Sequence, residues 1–206
     1  GQGWRRPPGW SRRPEVDGER RPHQKMVSQS HRAGAPPRPA EEGPISTDAF
    51  ATLTLTEVEE AAGELHRRIA VALRRIGEQG ADQRGLHETS PRQLVAALVA
   101  TVELAAATLG AVLAGTPAAS GRSDRHPATI AATMYAAPTV AALLSRLEQD
   151  RRLLASLARQ LESRLDGEHP TAWGRTTLRA IVTDVALTAS AACAQDLERR
   201  AAEATA

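Results

Sequence analysis

Two acidic side chains in otherwise apolar stretches are the residues of this chain best placed to do chemistry. Glu103 is the only charged residue in the run 94–113, LVAALVATVELAAATLGAVL, and Asp184 lies in the last apolar stretch. A carboxylate among apolar residues is costly to bury, so it marks either a functional site or an interhelical hydrogen bond or ion pair. We expect the structural role for both acids, with Arg151 or Arg179 as the partner.

Arg151 is a cation at a position where a helix seam calls for an apolar residue. The seam repeats every seventh residue, at Val140, Leu147, Leu154 and Leu161. Position 151 falls between these residues on the same face, so a cation there must extend to solvent or pair with an acid. Glu103 and Asp184 are the acids expected near Arg151. The alternative is that the seam drifts and leaves Arg151 in solvent.

The sequence contains no recognisable pattern of metal-binding or nucleotide-binding residues. Its six histidines lack the His-Glu-x-x-His and paired Glu-x-x-His spacings of zinc and di-iron sites, and it has no glycine-rich phosphate loop. We therefore expect no cofactor and assign no catalytic, cofactor-binding or metal-ligating residue. Glu103, Arg151 and Asp184 are the candidate buried polar groups.

Acidic pairs near the start of the first predicted helix leave one enzymatic alternative. Glu57, Glu60 and Glu64 have the spacing of carboxylates that hold magnesium in helical nucleotide hydrolases, although helix capping also explains acids at this position. Magnesium chemistry needs acids from several helices, and the second predicted helix supplies Glu103 alone. The alternative is a magnesium-dependent or small-molecule-binding enzyme around Glu103, which requires a polar cavity beside that residue.

The composition favours an all-α protein. Aromatic residues make up 2% of the 206 residues, so the core must consist of Leu, Val, Ile and Ala. Small residues allow close approach of helices, whereas sheets favour aromatic and β-branched side chains. Cys193 is the single cysteine, so an intramolecular disulfide is excluded. Among alanines in mid-helix, Cys193 is expected to act as a small apolar residue.

The run 94–113 predicts a helix that is apolar on all sides. Such a helix belongs inside a bundle or inside a membrane, and this run just reaches the length of a membrane span. Glu103 at its midpoint disfavours insertion, and the other predicted helices offer apolar seams that need a partner. We expect a central bundle helix, with a membrane span as the alternative.

Capping signals predict where the first two helices begin and end. Thr56 to Glu59 fits a capping box at the start of the first helix, which should end at Gly77 and Gly80. Ser90, Pro91 and Gln93 fit the start of the second helix, and Gly115 its end.

The remaining sequence predicts two further helices. Pro127 starts a third helix that Pro138 should break or kink, and Thr139 restarts it until Asp166 and Gly167. A fourth helix should follow His169, Pro170 and Thr171, with Trp173 near its start covering one end of the core. The predicted fold is an up-down four-helix bundle over residues 54–206, kinked at Pro138 in its third helix.

Residues 1–53 form a predicted disordered tail rich in Arg, Pro and Gly. Its excess of arginine over acids suits contact with nucleic acid, with Trp4 and Trp10 as stacking groups. The competing interpretation is that residues 1–25 are not translated, because the chain begins with Gly and its first methionine is Met26.

These patterns favour a non-enzymatic interaction or scaffold protein of the cytoplasm. It would act through helix faces, on a protein partner or on a second copy of itself, and a membrane is not expected. Nucleic-acid binding through the arginine-rich tail is the main alternative and requires that residues 1–25 be present.

Overall fold

The computed structural model describes residues 52–204, and these are mostly helical, as predicted. The helices are α1 (Leu55–Ala81), α2 (Pro91–Ala114), α3 (Pro127–Ala136), α4 (Val140–Gln160), α5 (Leu178–Thr183) and α6 (Ser190–Glu203). A hairpin of two short strands, β1 (Glu168–Thr171) and β2 (Gly174–Thr177), precedes α5. The predicted tail lies outside the described residues except for Thr52 and Leu53, and so does the question of the start site.

The first helix begins two residues earlier than the capping signal had indicated. Thr54, not Thr56, is the N-cap: its hydroxyl accepts a hydrogen bond from the Glu57 amide at 3.2 Å. The Glu57 carboxylate accepts one in return from the Thr54 amide at 2.8 Å. The prediction at Thr56 was wrong because two overlapping Thr-x-x-Glu patterns share this stretch, and the structure uses the first.

Gly77 bends α1 instead of ending it. Its backbone has φ 75° and ψ 173°, which a residue with a side chain rarely adopts, and the helix then resumes as far as Ala81. The final turn of α1 thereby leaves the direction of the main helix and carries Glu78 and Asp82 towards the start of α2.

The predicted boundaries of α2 are confirmed. Ser90 and Gln93 form the capping box, Pro91 is the first helical residue, and Gly115 adopts the left-handed conformation at the end. By length and composition α2 could cross a membrane, and 67% of its most apolar window is buried inside the fold. It touches every other helix of the described chain.

Pro138 separates two helices instead of kinking one. Ala137 has φ −126° and ψ 76°, the extended side of the map that a residue before proline favours, and the axes of α3 and α4 meet at 109°. Of the break or kink expected at Pro138, the structure has the break: the helix stops at Ala137 and starts again with its own cap at Thr139. The single kinked third helix of the predicted bundle is therefore wrong.

The segment predicted to begin the fourth helix is a β-hairpin. Trp173 lies in its turn, Gly174 takes the positive φ of 86° that the turn requires, and Thr171 faces Gly174 across the strands. Helical structure begins only at Leu178, with Thr177 as the N-cap. Trp173 therefore belongs to the hairpin, and α4 ends at Gln160, before the predicted stop at Asp166.

Helices α5 and α6 are joined by a π-helical segment into one continuous helix. α5 continues into a π-helical segment, Asp184–Ala189, which continues into α6. The Ser190 hydroxyl donates a hydrogen bond of 3.1 Å to the Val185 carbonyl, five residues back. A π-helical turn holds more residues than an α-helical one and is often found at functional sites.

The core is aliphatic, as the composition indicated. Its largest fully buried side chains are Ile69, Leu73, Leu109, Leu143, Leu161, Leu165, Leu178, Ile181 and Leu197. α2 packs against α4, and α1 packs against both α6 and α4. The packing of these helices brings acidic and basic side chains of α1, α2 and α4 into contact with one another.

Candidate functional site

Glu103 joins α2 to α4. Arg146 Nε donates a hydrogen bond of 2.6 Å to Glu103 Oε1, and the same guanidinium also contacts that oxygen through its terminal nitrogen. Both side chains are about one third exposed. The partner of Glu103 is therefore Arg146, and not Arg151 or Arg179, which was the expectation from sequence.

Asp150 completes this group, and the sequence analysis had not singled it out. It lies one helical turn beyond Arg146, with Oδ2 at 4.0 Å from Arg146 Nε. Burial, and next the nearby charge of Glu103, raise the pKa of Asp150 to about 6, while Arg146 opposes the shift. Two carboxyls and one guanidinium thus share a partly buried site that takes up a proton near neutral pH. The i,i+4 spacing of Arg146 and Asp150 was the signal available in the sequence.

Arg151 pairs within its own helix. Its Nε and terminal nitrogen lie 2.9 and 3.0 Å from the two carboxylate oxygens of Glu148, which also accepts a hydrogen bond of 2.7 Å from Arg152. The hydrogen bond from Arg151 is the largest cause that lowers the pKa of Glu148 to about 2. Arg151 is mostly buried, so the solvated alternative does not describe it, and its ion-pair partner is neither Glu103 nor Asp184.

His66 faces this ion pair from α1. Its Nε2 lies 3.7 Å from Glu148 Oε2, and its Nδ1 is buried without a hydrogen-bond partner. Burial lowers the pKa of His66 more than the charge of Glu148 raises it. The lowered pKa favours the neutral form of the ring. The 3.7 Å between Nε2 and Glu148 is longer than a hydrogen bond.

A narrow cleft runs along α1 and α4 beside His66. Its walls are mostly apolar and include the small residues Ala62, Ala155 and Ala158 of α1 and α4. The floor of the cleft is formed by Val182 of α5, Ala186 of the π-helical segment and Ser190 of α6. Helix α2 contributes Val102. The free volume of the cleft is about 40 Å³. Glu103 is not among the lining residues, although it follows Val102 directly.

Polar groups lie at two levels of the cleft. Arg159 of α4 pairs with Glu59 of α1 at one level, and His66 and Arg151 lie at the other. Since Glu59 meets Arg159 and His66 meets Glu148, α1 and α4 run antiparallel along the cleft. Apolar residues line the cleft between these two levels and beyond them, at Leu55 and Ile69.

Asp184 occupies the first position of the π-helical segment and is half-buried.

Cys193 lies in α6 and is 4% exposed, and burial raises the pKa of its thiol to about 12. A thiol with so high a pKa stays protonated, which agrees with its interpretation as a small apolar residue.

Three buried charged residues escaped the sequence analysis. Asp124 accepts hydrogen bonds from Arg122 and Thr101 at 2.8–2.9 Å, and Arg122 also stacks 4.7 Å from the centre of the Trp173 ring. Arg92 contacts Glu78, Asp82 and the Pro138 carbonyl.

Arg200 is the third of these residues. It bonds Asp196 at 2.7 Å and the Thr89 carbonyl at 2.6 Å. Each of the three residues also contacts a segment far away in the sequence, at Thr101, Pro138 or Thr89, which single-helix patterns do not indicate. The pair of Asp196 and Arg200, in contrast, has the i,i+4 spacing of one helix.

Metal-binding geometry is not found in residues 52–204, where no three His, Cys, Asp or Glu side chains converge on one point. Glu57 is engaged in the cap of α1 and Glu64 in an ion pair with Arg67. No family model matches the chain, and no curated protein or solved structure matches it. Function must therefore be argued from the geometry itself.

Proposed function

We propose that the protein is a non-enzymatic helical interaction protein that self-associates through the outer face of α3. The observation that carries the proposal is an exposed apolar stripe on this helix. It consists of Ala128, Ala131, Ala132, Tyr135 and Ala136. These positions recur every three or four residues, the spacing of a single helix face.

The stripe is an unusual surface for this chain. Tyr135 is 89% exposed, although the opposite side of α3 packs inward through Ile130, Thr133 and Met134. Residues 127–145 contain no charged side chain. The outer faces of α1, α4 and α6, in contrast, carry ion pairs such as Arg67–Glu64, Arg152–Glu148 and Arg199–Glu203.

A second copy of this chain is the occupant that the charges favour. In a two-fold dimer each face meets itself, so a charged face would bring like charges together, whereas the α3 face does not. Alanines let two helices approach closely, and tyrosine is enriched among the residues that contribute most to interfaces. The Tyr135 side chains of two copies would supply the aromatic centre of this contact.

A bundle of four long helices is part of the same proposal. α1, α2, α4 and the α5–α6 helix would form it, with α3 as an added outer helix, and the contacts of α2 with α4 and of α1 with α6 and α4 support this grouping. The strict up-down order expected from sequence does not fit it, because α1 and α4 run antiparallel whereas α2 and α4 run in the same direction. The cytoplasmic location and the nucleic-acid role of residues 1–25 remain predictions, and the latter concerns residues outside the described range.

The test compares a change in the stripe with the same change elsewhere. Light scattering coupled to size exclusion should give twice the chain mass for the full-length protein at micromolar concentration. Tyr135→Arg should give a monomer, because two guanidinium groups would meet across the two-fold axis. Leu86→Arg changes a fully exposed apolar residue outside α3 and should remain dimeric. A monomeric wild type, or a dimeric Tyr135→Arg, would contradict the proposal.

A further inference from the structure

We propose that Asp150 is a proton-operated catch between α4 and α2: with its proton it donates a hydrogen bond to Glu103, and without it the two carboxylates repel each other. The proposal concerns the packing of α2 and is independent of the α3 contact. It rests on a buried oxygen without a partner, on the position of Arg146, and on the meeting of two acids from different helices.

One oxygen of Asp150 lacks the donor that an ionised carboxylate needs. Oδ2 is buried and has no hydrogen-bond partner. The nearest cation, Arg146, has its Nε 4.0 Å away, which is too far for a hydrogen bond. A carboxylate oxygen only accepts hydrogen bonds, so this oxygen is unsatisfied when Asp150 is ionised. A buried polar atom in that state calls for a chemical explanation.

The guanidinium of Arg146 is committed to the other acid. Its Nε donates a hydrogen bond of 2.6 Å to Glu103 Oε1, and its terminal nitrogen contacts the same oxygen. Asp150 receives only the weaker attraction of a positive charge at a distance. The single cation of this site therefore leaves Asp150 without a direct partner.

A proton on Asp150 supplies that partner. Glu103 lies within hydrogen-bonding reach of Asp150, and two carboxyl groups in contact are stable together when one of them carries a proton. A protonated carboxyl has one O–H donor, which gives the buried Oδ2 an acceptor in Glu103. Burial and the charge of Glu103 raise the pKa of Asp150 to about 6, in agreement with this arrangement.

The charges that act on Asp150 come from two helices. Glu103 faces it from α2, and Arg146 lies one turn away on α4. Helix α1 directs its titratable group elsewhere, because His66 faces Glu148, on another side of α4. One proton therefore sets the state of the catch.

Loss of the proton weakens the contact between α2 and α4. The pKa of Asp150 is raised above its ordinary value, so the stabilisation is complete below about pH 4 and is lost as the pH rises through about 6. Above that range two negative carboxylates share one guanidinium. Because α2 contacts every other helix of the described chain, the catch acts on the helix that holds the fold together.

The carboxyl carbons report the shared proton directly in an NMR titration of the isotope-labelled full-length protein. Asp150 and Glu103 should both shift in one step with an apparent pKa near 6, because a shared proton titrates as a property of the pair. In Glu103→Gln the Asp150 step should move down by at least about one pH unit, since the like charge is gone and the amide donates to the carboxylate. The control Glu148→Gln, on the side of α4 that faces His66, should leave this step in place.

Hydrogen exchange shows whether the proton holds the two helices together. After correction for the ordinary pH dependence of exchange, the opening equilibrium of the amides beside Glu103 should rise about tenfold from pH 5 to pH 8. In Asp150→Asn this rise should disappear, because the amide donates to Glu103 at every pH. A Glu103 carbon that does not respond at the Asp150 step, an unmoved Asp150 step in Glu103→Gln, or pH-independent opening of the wild type would overturn the proposal.

Discussion

Arg146 on α4 donates a hydrogen bond of 2.6 Å to Glu103 on α2, and Asp150 lies one turn further along the same face of α4. One guanidinium therefore serves two carboxyls. Arg146 lies closer to Glu103 than to Asp150. The ionised form of Asp150 is therefore disfavoured by its burial and by the negative charge of Glu103. This imbalance makes Asp150 the group of the site whose titration bears on stability.

Asp150→Asn should stabilise the protein above pH 6 and have little effect below pH 4. The pKa of Asp150 is raised to about 6, so between pH 4 and 6 the folded state binds more protons than the unfolded state. The free energy of unfolding of the wild type should therefore fall as the pH rises through this range. Two pKa units correspond to at most about 3 kcal/mol, and partial solvation reduces the expected gain to about 1–2 kcal/mol.

Urea unfolding of wild type and Asp150→Asn from pH 3.5 to 8 measures this difference. Asp166→Asn is the matched control. Arg179 lowers the pKa of Asp166, so its contribution to stability is present above the unfolded pKa and is lost as the pH falls. The two variants should thus change stability in opposite directions at pH 7. A pH-independent effect of Asp150→Asn would show that its carboxyl ionises normally.

Glu148→Gln should lower the pKa of His66 further. Burial and the charges of Arg151, Arg74 and Arg152 lower this pKa, and Glu148 is the acid that raises it. An NMR titration of the imidazole signals gives the pKa of wild type and variant. The signals of His87, which contacts Glu203, provide the internal reference. An unchanged His66 titration would mean that the Glu148 charge does not reach the ring.

Arg92→Ala should destabilise the protein by about 2–3 kcal/mol. Arg92 is 5% exposed and donates to the Pro138 carbonyl as well as to Glu78 and Asp82. Glu78 and Asp82 are more than half exposed and can rehydrate, so the loss arises mainly from the carbonyl and from packing. Arg84→Ala, at an exposed position of the connection between α1 and α2, should cost less than about 0.5 kcal/mol. Equal effects of the two changes in urea unfolding would refute the role of Arg92.

Thr54→Ala should cost about 1 kcal/mol, and Thr56→Ala close to none. The Thr54 hydroxyl caps α1, whereas Thr56 lies exposed within its first turn. Chemical denaturation of the two variants distinguishes the observed start of the helix from the start predicted by the second Thr-x-x-Glu pattern. A larger loss for Thr56→Ala would favour the predicted start.

Local chemistry predicted several helix boundaries, because caps act within one turn. Ser90, Pro91 and Gly115 bound α2 where the sequence placed them, and Pro127 and Thr139 begin α3 and α4. The error at Thr54 has the same origin, since two equivalent local patterns competed and packing decided between them. The local sequence pattern does not indicate how the start of α1 packs against the rest of the fold.

The hairpin and the partners of the candidate residues were beyond the reach of sequence patterns. Strands of four residues give too short an alternation to detect, and Trp173 suited a helix start as well as a turn. The pairing of Glu103 with Arg146 depends on how α2 is turned relative to α4. The sequence pattern of a single helix does not specify that rotation.

The bend at Gly77 has a consequence for how the chain opens. Beyond the bend, one oxygen of Glu78 accepts a hydrogen bond of 2.7 Å from the Val140 amide at the start of α4, and the other accepts one from Arg92 at the start of α2. Three helix ends that are remote in sequence thus share one carboxylate. The last turn of α1 cannot fray without loosening the first turns of α2 and α4, so these ends form a single cooperative unit.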